Sequence, residues 1–196
     1  LEDNPRRLRR RMVHVYGDQS TWPSNFHFTT QMKKLDDGGS EQLENWILDH
    51  RPRLIIIDTL VCVRSASKRR TEYEADYATL APLQRLAGEY GIAIIIVHHQ
   101  RKMGSEDPLD TVSGTTGLSG GVDNILILDR KSHGVTLYGR GREMDDIDIT
   151  VELDDGYWRI LGDSDAVKIS SQRRAIIDVL KSADKPIGPK DIAEAL

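Results

Sequence analysis

The sequence predicts an α/β fold in which a mostly parallel sheet is covered by helices. Two short runs indicate the sheet: LIII at 54–57, which leads into Asp58, and IAIIIV at 92–97. Neither run alternates apolar with polar residues, which is typical of strands buried on both faces. The segment between them has apolar side chains at helical spacing, namely Tyr73, Tyr77, Leu80, Leu83 and Leu86. Strand, helix and strand would then form a right-handed βαβ unit.

The other elements follow from local signals along the chain. Asn4 and Pro5 suit the N-cap and first position of a helix within residues 1–20, and Ser40 is a candidate cap for a helix over 38–50. Residues 122–130 read as a further strand, and 134–142 and 148–161 alternate well enough to predict an antiparallel hairpin at the sheet edge. Residues 101–121 are loop-like, and a loop of that length is usually functional or disordered.

The pattern of the sequence changes near residue 163, and two predicted helices beyond that point flank ADKPIGP. We therefore divide the chain into a core over 1–162 and a segment over 163–196. The 196 residues suit one domain with an appendage. Because the chain begins at Leu1 and stops within an apparent helix, we expect it to be part of a longer protein.

Composition limits the classes of function. A net charge of −4 argues against a globally basic nucleic-acid binder, although five arginines in residues 5–11 allow a local basic surface. The single cysteine, Cys62, excludes an internal disulfide and favours a reducing compartment. No apolar run reaches the ~18 residues of a membrane span. We expect a cytoplasmic protein.

Polar residues follow both predicted parallel strands. In open α/β sheets, ligands bind beyond the carboxyl ends of the strands. Asp58 is placed to hold Mg²⁺ beside a nucleotide phosphate, with the Thr59 hydroxyl next to it. The alternative is an aspartate that caps the next turn. His98 and His99 leave the next strand and could contact a phosphate or cap the strand, whereas their surroundings do not favour zinc.

Three further features could carry chemistry. The glycine-rich loop 101–121 could track a single strand of nucleic acid or could be an ordinary surface loop. Arg140 and Arg142 would share a face if both lie on a strand, where they would suit a phosphate from a neighbouring subunit; the alternative is a solvated pair near Glu143 and Asp145. If Leu1 ends a strand, Glu2 lies beside the same cleft and could orient or deprotonate water.

Taken in order, these segments resemble the RecA-type motor domain, in the branch of the hexameric plasmid replicative helicase RepA and related phage ATPases (the AAA-25 group). The resemblance rests on LEDNPRRLRRR, LIIIDTL, VHHQRK, TVSGTTGLSGGVDNILILDR and GRGRE…ITVELDDGYWRIL, and it covers roughly residues 1–161. It implies a RecA-like three-layer α/β/α fold with a mostly parallel central sheet and an antiparallel edge hairpin. The stretch after 163 resembles the opening of a winged helix.

The resemblance also implies roles for individual residues. Asp58 would be the Walker B aspartate, Glu2 the catalytic glutamate, and His99 or His98 the γ-phosphate sensor, with His99 slightly favoured. ATP and Mg²⁺ would be the cofactors. Arg140 and Arg142 would reach a neighbouring subunit's nucleotide, with Arg130 as a competing arginine finger. Single-stranded DNA would meet the channel-facing loop, which contains Arg101, Lys102, Ser113, Gly114 and Thr115.

One family motif is absent, because no stretch of the 196 residues approximates the phosphate-binding loop GxxxxGK[ST]. In the family that loop precedes the LED segment. Our leading hypothesis is an ATP-driven, ring-forming DNA motor, a hexamer of helicase type. The runner-up is a non-hydrolysing DNA-binding module that acts through its winged helix, and a third reading is a recombinase-like or signalling ATPase of the same fold.

Overall fold

The computed structural model describes residues 1–18, 20, 22–64, 72–100, 109, 116–131, 134–183 and 185–195. They form two compact units, Leu1–Asp123 and Asn124–Leu196. The first unit contains helices α1 (Pro5–Tyr16), α2 (Ser40–His50), α3 (Leu60–Val63), α4 (Glu72–Tyr90) and α5 (Thr116–Gly120), and strands β1 (Leu54–Asp58) and β2 (Ala93–Val97). The second contains strands β3 (Asn124–Lys131), β4 (Gly134–Gly141), β5 (Ile147–Asp154) and β6 (Tyr157–Asp163), and helices α6 (Ser164–Ser182) and α7 (Pro189–Ala195).

The predicted βαβ unit is confirmed in the first unit. Strands β1 and β2 pair in parallel, with Leu54 opposite Ala93 and Asp58 opposite Val97. Helix α4 connects them, and its Leu80, Leu83 and Leu86 are buried as the helical spacing predicts. They share one core with buried side chains of α2, β1 and α3. Tyr77 departs from the prediction, because 52% of its surface is exposed, and the side chain of Tyr73 lies outside the described residues.

The prediction that both faces of these strands are buried is wrong for the described part of the chain. Ile57 points into the core and is 4% exposed, whereas its neighbour Ile56 is 60% exposed. On β2, Ile95 is 49% exposed. Successive side chains of a strand point to opposite faces. The described helices therefore share a core with one face of this parallel pair, and the apolar side chains of the other face meet solvent.

Of the two predicted helix caps, the one at Asn4 is confirmed and the one at Ser40 is wrong. Asn4 caps α1 as predicted, with its Oδ1 accepting a hydrogen bond from Arg7 N at 2.9 Å, and Pro5 is the first helical residue. Ser40 does not cap α2. It is already helical, and its hydroxyl donates to the Leu35 carbonyl at 2.9 Å, closing the wide turn Leu35–Gly39 that precedes the helix.

The second unit is built on a four-stranded antiparallel sheet in the order β3–β4–β5–β6. The predicted strand over 122–130 joins this sheet as β3, and the segment 148–161 divides between β5 and β6. Asp155 and Gly156 connect these two strands with positive φ angles of 46° and 88°, as a tight hairpin turn requires. The chain is thus a mixed α/β structure with a small parallel sheet and an antiparallel sheet, and the three-layer arrangement stays a prediction.

Helices α6 and α7 confirm the two predicted helices around ADKPIGP. Asp163 caps α6, because its carboxylate accepts a hydrogen bond from Ala166 N at 3.0 Å. The division of the chain near residue 162 stays a prediction. Among the described helices, none is both long and apolar enough to cross a bilayer.

Candidate functional site

The polar residues that follow the two parallel strands lie at one edge of the first unit. The parallel register puts Asp58 opposite Val97, so that Thr59 and His98 both leave the sheet at its carboxyl end. The segment before α1 reaches the same edge, because the backbone nitrogens of Leu1 and Glu2 donate to the carbonyl oxygen of Asp58, the latter at 3.3 Å. The carboxyl end of β1 therefore gathers residues from three separate stretches of the sequence.

Glu2 is held by two side chains from different strand ends. The Thr59 hydroxyl donates to Glu2 Oε1 at 2.8 Å, and His99 Nε2 lies 3.4 Å from the same oxygen. Thr59 is 1% exposed, whereas Glu2 is exposed, so a buried hydroxyl anchors a solvent-facing carboxylate. The hydrogen bond from Thr59 lowers the pKa of Glu2, and His99 lowers it further. An ionised, oriented carboxylate can hold a water molecule in place for attack.

Asp58 is the last residue of β1; its side chain is exposed, and its backbone carbonyl accepts the hydrogen bond from Glu2 N. The peptide bond between Asp58 and Thr59 is cis. The exposed carboxylates of Asp58 and Glu2 offer the oxygen ligands that Mg²⁺ prefers, whereas the Thr59 hydroxyl is buried and donates to Glu2. In the described ranges, no group of three or more His, Cys, Asp or Glu residues could hold a metal ion. This donor set therefore suits a magnesium ion whose remaining ligands are phosphate and water, rather than one enclosed by protein.

The two histidines after β2 differ in their surroundings. His99 lies beside Glu2, as its 3.4 Å distance records. Partial desolvation of the His98 ring lowers its pKa. That pKa is raised by the charge of Asp76 on α4 and lowered by that of Arg64, which follows α3. Of the two candidates for the phosphate sensor, His99 has a contact with another predicted site residue, Glu2.

The arginine candidates lie in the second unit. Arg130 is an exposed residue of β3. Arg140 lies on β4, where its Nε donates to Asp146 at 3.2 Å and its guanidinium stands 5.5 Å from the centre of the Tyr138 ring. Arg142 follows the end of β4 at Gly141, so the condition under which Arg140 and Arg142 would share the face of a strand is not met.

The residues predicted to meet nucleic acid lie outside the described part of the chain; they are Arg101, Lys102, Ser113, Gly114 and Thr115. Sequence reasoning also missed residues that the structure brings to the edge of the site or close to it. Asp3 pairs with Arg7 at 3.0 Å and also with Arg11, and the four-residue spacing of the first pair was a usable signal. The ion pair between Arg64 and Asp76 has no such signal, because its partners lie on different elements.

Comparison with known proteins bears on the part of the chain that contains the site. A family model described as an AAA domain matches residues 1–105, which is more than half of the 196 residues. The matched range contains Glu2, Asp58, Thr59 and both histidines. No curated protein matches the chain. The chain belongs to this AAA-domain family, which indicates an ATPase-like, nucleotide-binding function.

Proposed function

We propose that this chain is the core of an ATP-hydrolysing DNA motor of the RepA-type replicative helicase group, which uses ATP and Mg²⁺. The observation that supports it best is the exposed Glu2 carboxylate, held by Thr59 and His99 beside Asp58 at the carboxyl end of β1. A metal-organising carboxylate, a water-orienting carboxylate and a phosphate-facing side chain are the groups that phosphoryl transfer to water requires.

Each residue would have a distinct task. Asp58 would hold the metal ion through water, and the ion would neutralise charge on the phosphates. Glu2 would orient the attacking water, because its anchored carboxylate offers a fixed hydrogen-bond acceptor. His99 would contact the γ-phosphate from the neighbouring strand end, and its proximity to Glu2 would couple that contact to the position of the water. His98 remains the second candidate for this contact.

The phosphate-binding loop GxxxxGK[ST] does not occur in the 196 residues, and we propose that the longer protein supplies it. The solvent-exposed apolar face of the parallel pair agrees with this idea, because parallel sheets are normally covered on both faces. Without the lysine and hydroxyl of that loop, the 196 residues alone should bind ATP poorly.

The motor reading includes partners. A ring of subunits, with six as the expected number, would place Arg142, Arg140 or Arg130 beside the nucleotide of the neighbouring subunit. Single-stranded DNA would bind the loop that carries Arg101 and Lys102, and binding through such basic side chains should weaken as salt rises. The protein would work in the cytoplasm.

The second candidate function is a non-hydrolysing DNA-binding module. Helices α6 and α7, which flank ADKPIGP, support it as the opening of a winged helix. Arg173, Arg174 and Lys181 lie close together on α6, with Asp178 among them, and give this stretch of the helix a net positive charge. In this reading ATP would act as a switch or would not be used.

The test is ATP hydrolysis by the longer protein that carries GxxxxGK[ST], measured with and without single-stranded DNA. Asp58→Ala and Glu2→Gln should each lower the rate by about 10²- to 10⁴-fold. Glu41→Gln, which changes an exposed carboxylate of α2, is the matched control and should have no effect.

The arginines are separated in the same assay. Loss of DNA-stimulated hydrolysis in Arg142→Ala but not in Arg130→Ala would assign the finger to Arg142, and the reverse would assign it to Arg130. A well-folded longer protein that binds DNA but does not hydrolyse ATP would refute the motor and leave the binding module.

A further inference from the structure

Lys34 precedes the turn that leads into α2, yet its side chain reaches α3. Its Nζ donates to the carbonyl oxygens of Val61 at 3.1 Å and of Cys62 at 2.9 Å. The last carbonyl oxygens of a helix have no partner within the helix, and a lysine near that end can bind them and complement the helix dipole. Lys34 therefore holds the last turn of α3 from a segment that lies 27 residues earlier in the sequence.

The backbone of Lys34 is itself fixed. Its carbonyl oxygen accepts hydrogen bonds from Asp37 N and Gly39 N, both at 2.9 Å. This turn is so tight that a Cβ at Gly39 would clash with the same oxygen. The next residue, Leu35, is 6% exposed and belongs to the core of the first unit. The ammonium group thus extends from an anchored stretch of backbone and can hold α3 in one place.

Hydrogen bonds continue from the last turn of α3 to the candidate site. Cys62 N donates to the Thr59 carbonyl at 3.0 Å, so the residue that binds Lys34 also holds the residue before α3. The Thr59 hydroxyl in turn donates to Glu2 Oε1 at 2.8 Å. A displacement of α3 would move the backbone of Thr59, and with it the hydroxyl that orients the Glu2 carboxylate.

The influence of Lys34 on Glu2 is indirect. The Lys34 ammonium donates to main-chain oxygens, and within the described ranges no hydrogen bond or ion pair joins it to Glu2. The adjacent Lys33 has an exposed side chain that makes no hydrogen bond to α3 in the same part of the chain. These neighbouring lysines therefore carry the same charge but differ in their link to Thr59.

We propose that Lys34 is a positioning residue for the candidate site: by holding the last turn of α3, it fixes the Thr59 hydroxyl that orients Glu2. The catalytic consequence rests on the proposed function, whereas the effect on Glu2 does not. Lys34 is not expected to touch the nucleotide or the attacking water.

The first test is an NMR titration of the Glu2 carboxyl group. The hydrogen bond from Thr59 is the main cause of the lowered pKa of Glu2, so a displaced hydroxyl should let that pKa rise towards its ordinary value. Lys34→Met should cause this rise, whereas Lys34→Arg, which can still donate to both carbonyls, should not. Lys33→Met is the matched control and should leave the Glu2 pKa unchanged. An unchanged Glu2 pKa in folded Lys34→Met would overturn the proposal.

A double-mutant cycle separates positioning from a direct effect of charge. In Thr59→Val the hydroxyl is absent, so adding Lys34→Met should cause no further rise in the pKa of Glu2. Additive shifts would show that Lys34 acts on Glu2 as a charge and would overturn the proposal. Circular dichroism checks the folding of each variant. If Lys34→Met does not fold, Lys34→Gln, whose side chain is one atom shorter than that of lysine, replaces it with the same expected outcomes.

The catalytic consequence is measured in the longer protein. Lys34→Met should lower kcat for ATP by about 10-fold with little change in KM, as is typical when a residue that orients a site residue is lost. Lys33→Met and Lys34→Arg should stay close to the wild type. A wild-type kcat in folded Lys34→Met would show that Lys34 is only structural and would overturn the proposal. If the unmodified longer protein does not hydrolyse ATP, the proposed function fails, and the titration of Glu2 still decides whether Lys34 positions it.

Discussion

The two faces of β1 give a prediction that can be worked out from adjacent residues of the same type. Ile57 is 4% exposed and packs in the core, whereas Ile56 is 60% exposed. Truncation to alanine removes three carbons from each, worth about 0.8 kcal/mol per buried CH₂. For Ile57 this amounts to about 2.4 kcal/mol, and the cavity left behind raises the loss to about 3–4 kcal/mol. For Ile56, with only part of its surface covered, the loss should be about 1 kcal/mol.

The difference in stability between Ile56→Ala and Ile57→Ala measures how much more the inner face of β1 is buried than the outer face. Both substitutions replace a β-branched residue with alanine in the same strand, so their effects on strand propensity are similar. The expected difference is about 2–3 kcal/mol in the free energy of unfolding. With a urea dependence of about 2 kcal/mol per molar, the unfolding midpoints should differ by about 1 M.

Tryptophan fluorescence can follow the unit that contains β1. The chain has three tryptophans, and Trp158 is the one in the second unit. In a Trp158→Phe background, the signal therefore comes from Trp22 and Trp46 of Leu1–Asp123. Equal midpoints for Ile56→Ala and Ile57→Ala would refute the one-sided burial and would mean that the outer face is also covered.

Three further predictions concern the site and one turn. Thr59→Val should raise the pKa of Glu2 towards its ordinary value, whereas Thr59→Ser should keep that pKa low, as measured by NMR titration of the carboxyl group. An unchanged Glu2 pKa in Thr59→Val would show that the Thr59 hydroxyl is not the cause of the shift. Because the pKa of His98 is lowered from 6.5, the unfolded chain binds more protons below that pH. The urea concentration at the unfolding midpoint should therefore fall as the pH drops from 6.5 towards the pKa of His98 in the folded chain. In His98→Gln this midpoint should depend less on pH. Gly39→Ala should destabilise by about 1–3 kcal/mol, since its Cβ would clash with the main-chain oxygens of Lys33 and Lys34. Gly88→Ala should not destabilise the chain, because an added Cβ would meet no atom within 4 Å. Similar melting temperatures for Gly39→Ala and Gly88→Ala would contradict the close packing around Gly39.

The sequence predicts the parallel pair and the gathering of its polar ends, and both have the same physical cause. Residues that follow parallel strands in a βαβ unit leave the sheet at the same edge. This rule alone predicts that Thr59 and His99 lie close together, before any contact between side chains is known. The sequence predicts the position of Glu2 only on the assumption that the LED segment runs beside β1. The hydrogen bond from Glu2 N to the Asp58 carbonyl shows that the segment does so.

The sequence does not predict which partner a strand chooses or which face stays open. Residues 124–131 are apolar enough for a parallel strand, yet β3 pairs antiparallel with β4, with Ile127 opposite Tyr138. Periodicity of 54–57 indicates burial but not how many layers cover the strand. Both properties depend on the rest of the fold rather than on the segment itself. The pairing of Arg64 with Asp76 is missed for the same reason.

The arrangement around Glu2 has a consequence for how a nucleotide could influence the site. The carboxylate is exposed, but its anchor, Thr59, is 1% exposed and begins the turn into α3. His99, its other neighbour, is an exposed residue that follows the end of β2. A ligand that moved His99 would therefore change the contacts of Glu2 while Thr59 stayed fixed in the core. Glu2 should respond to a phosphate at the end of β2 by a change in orientation, without displacement of β1.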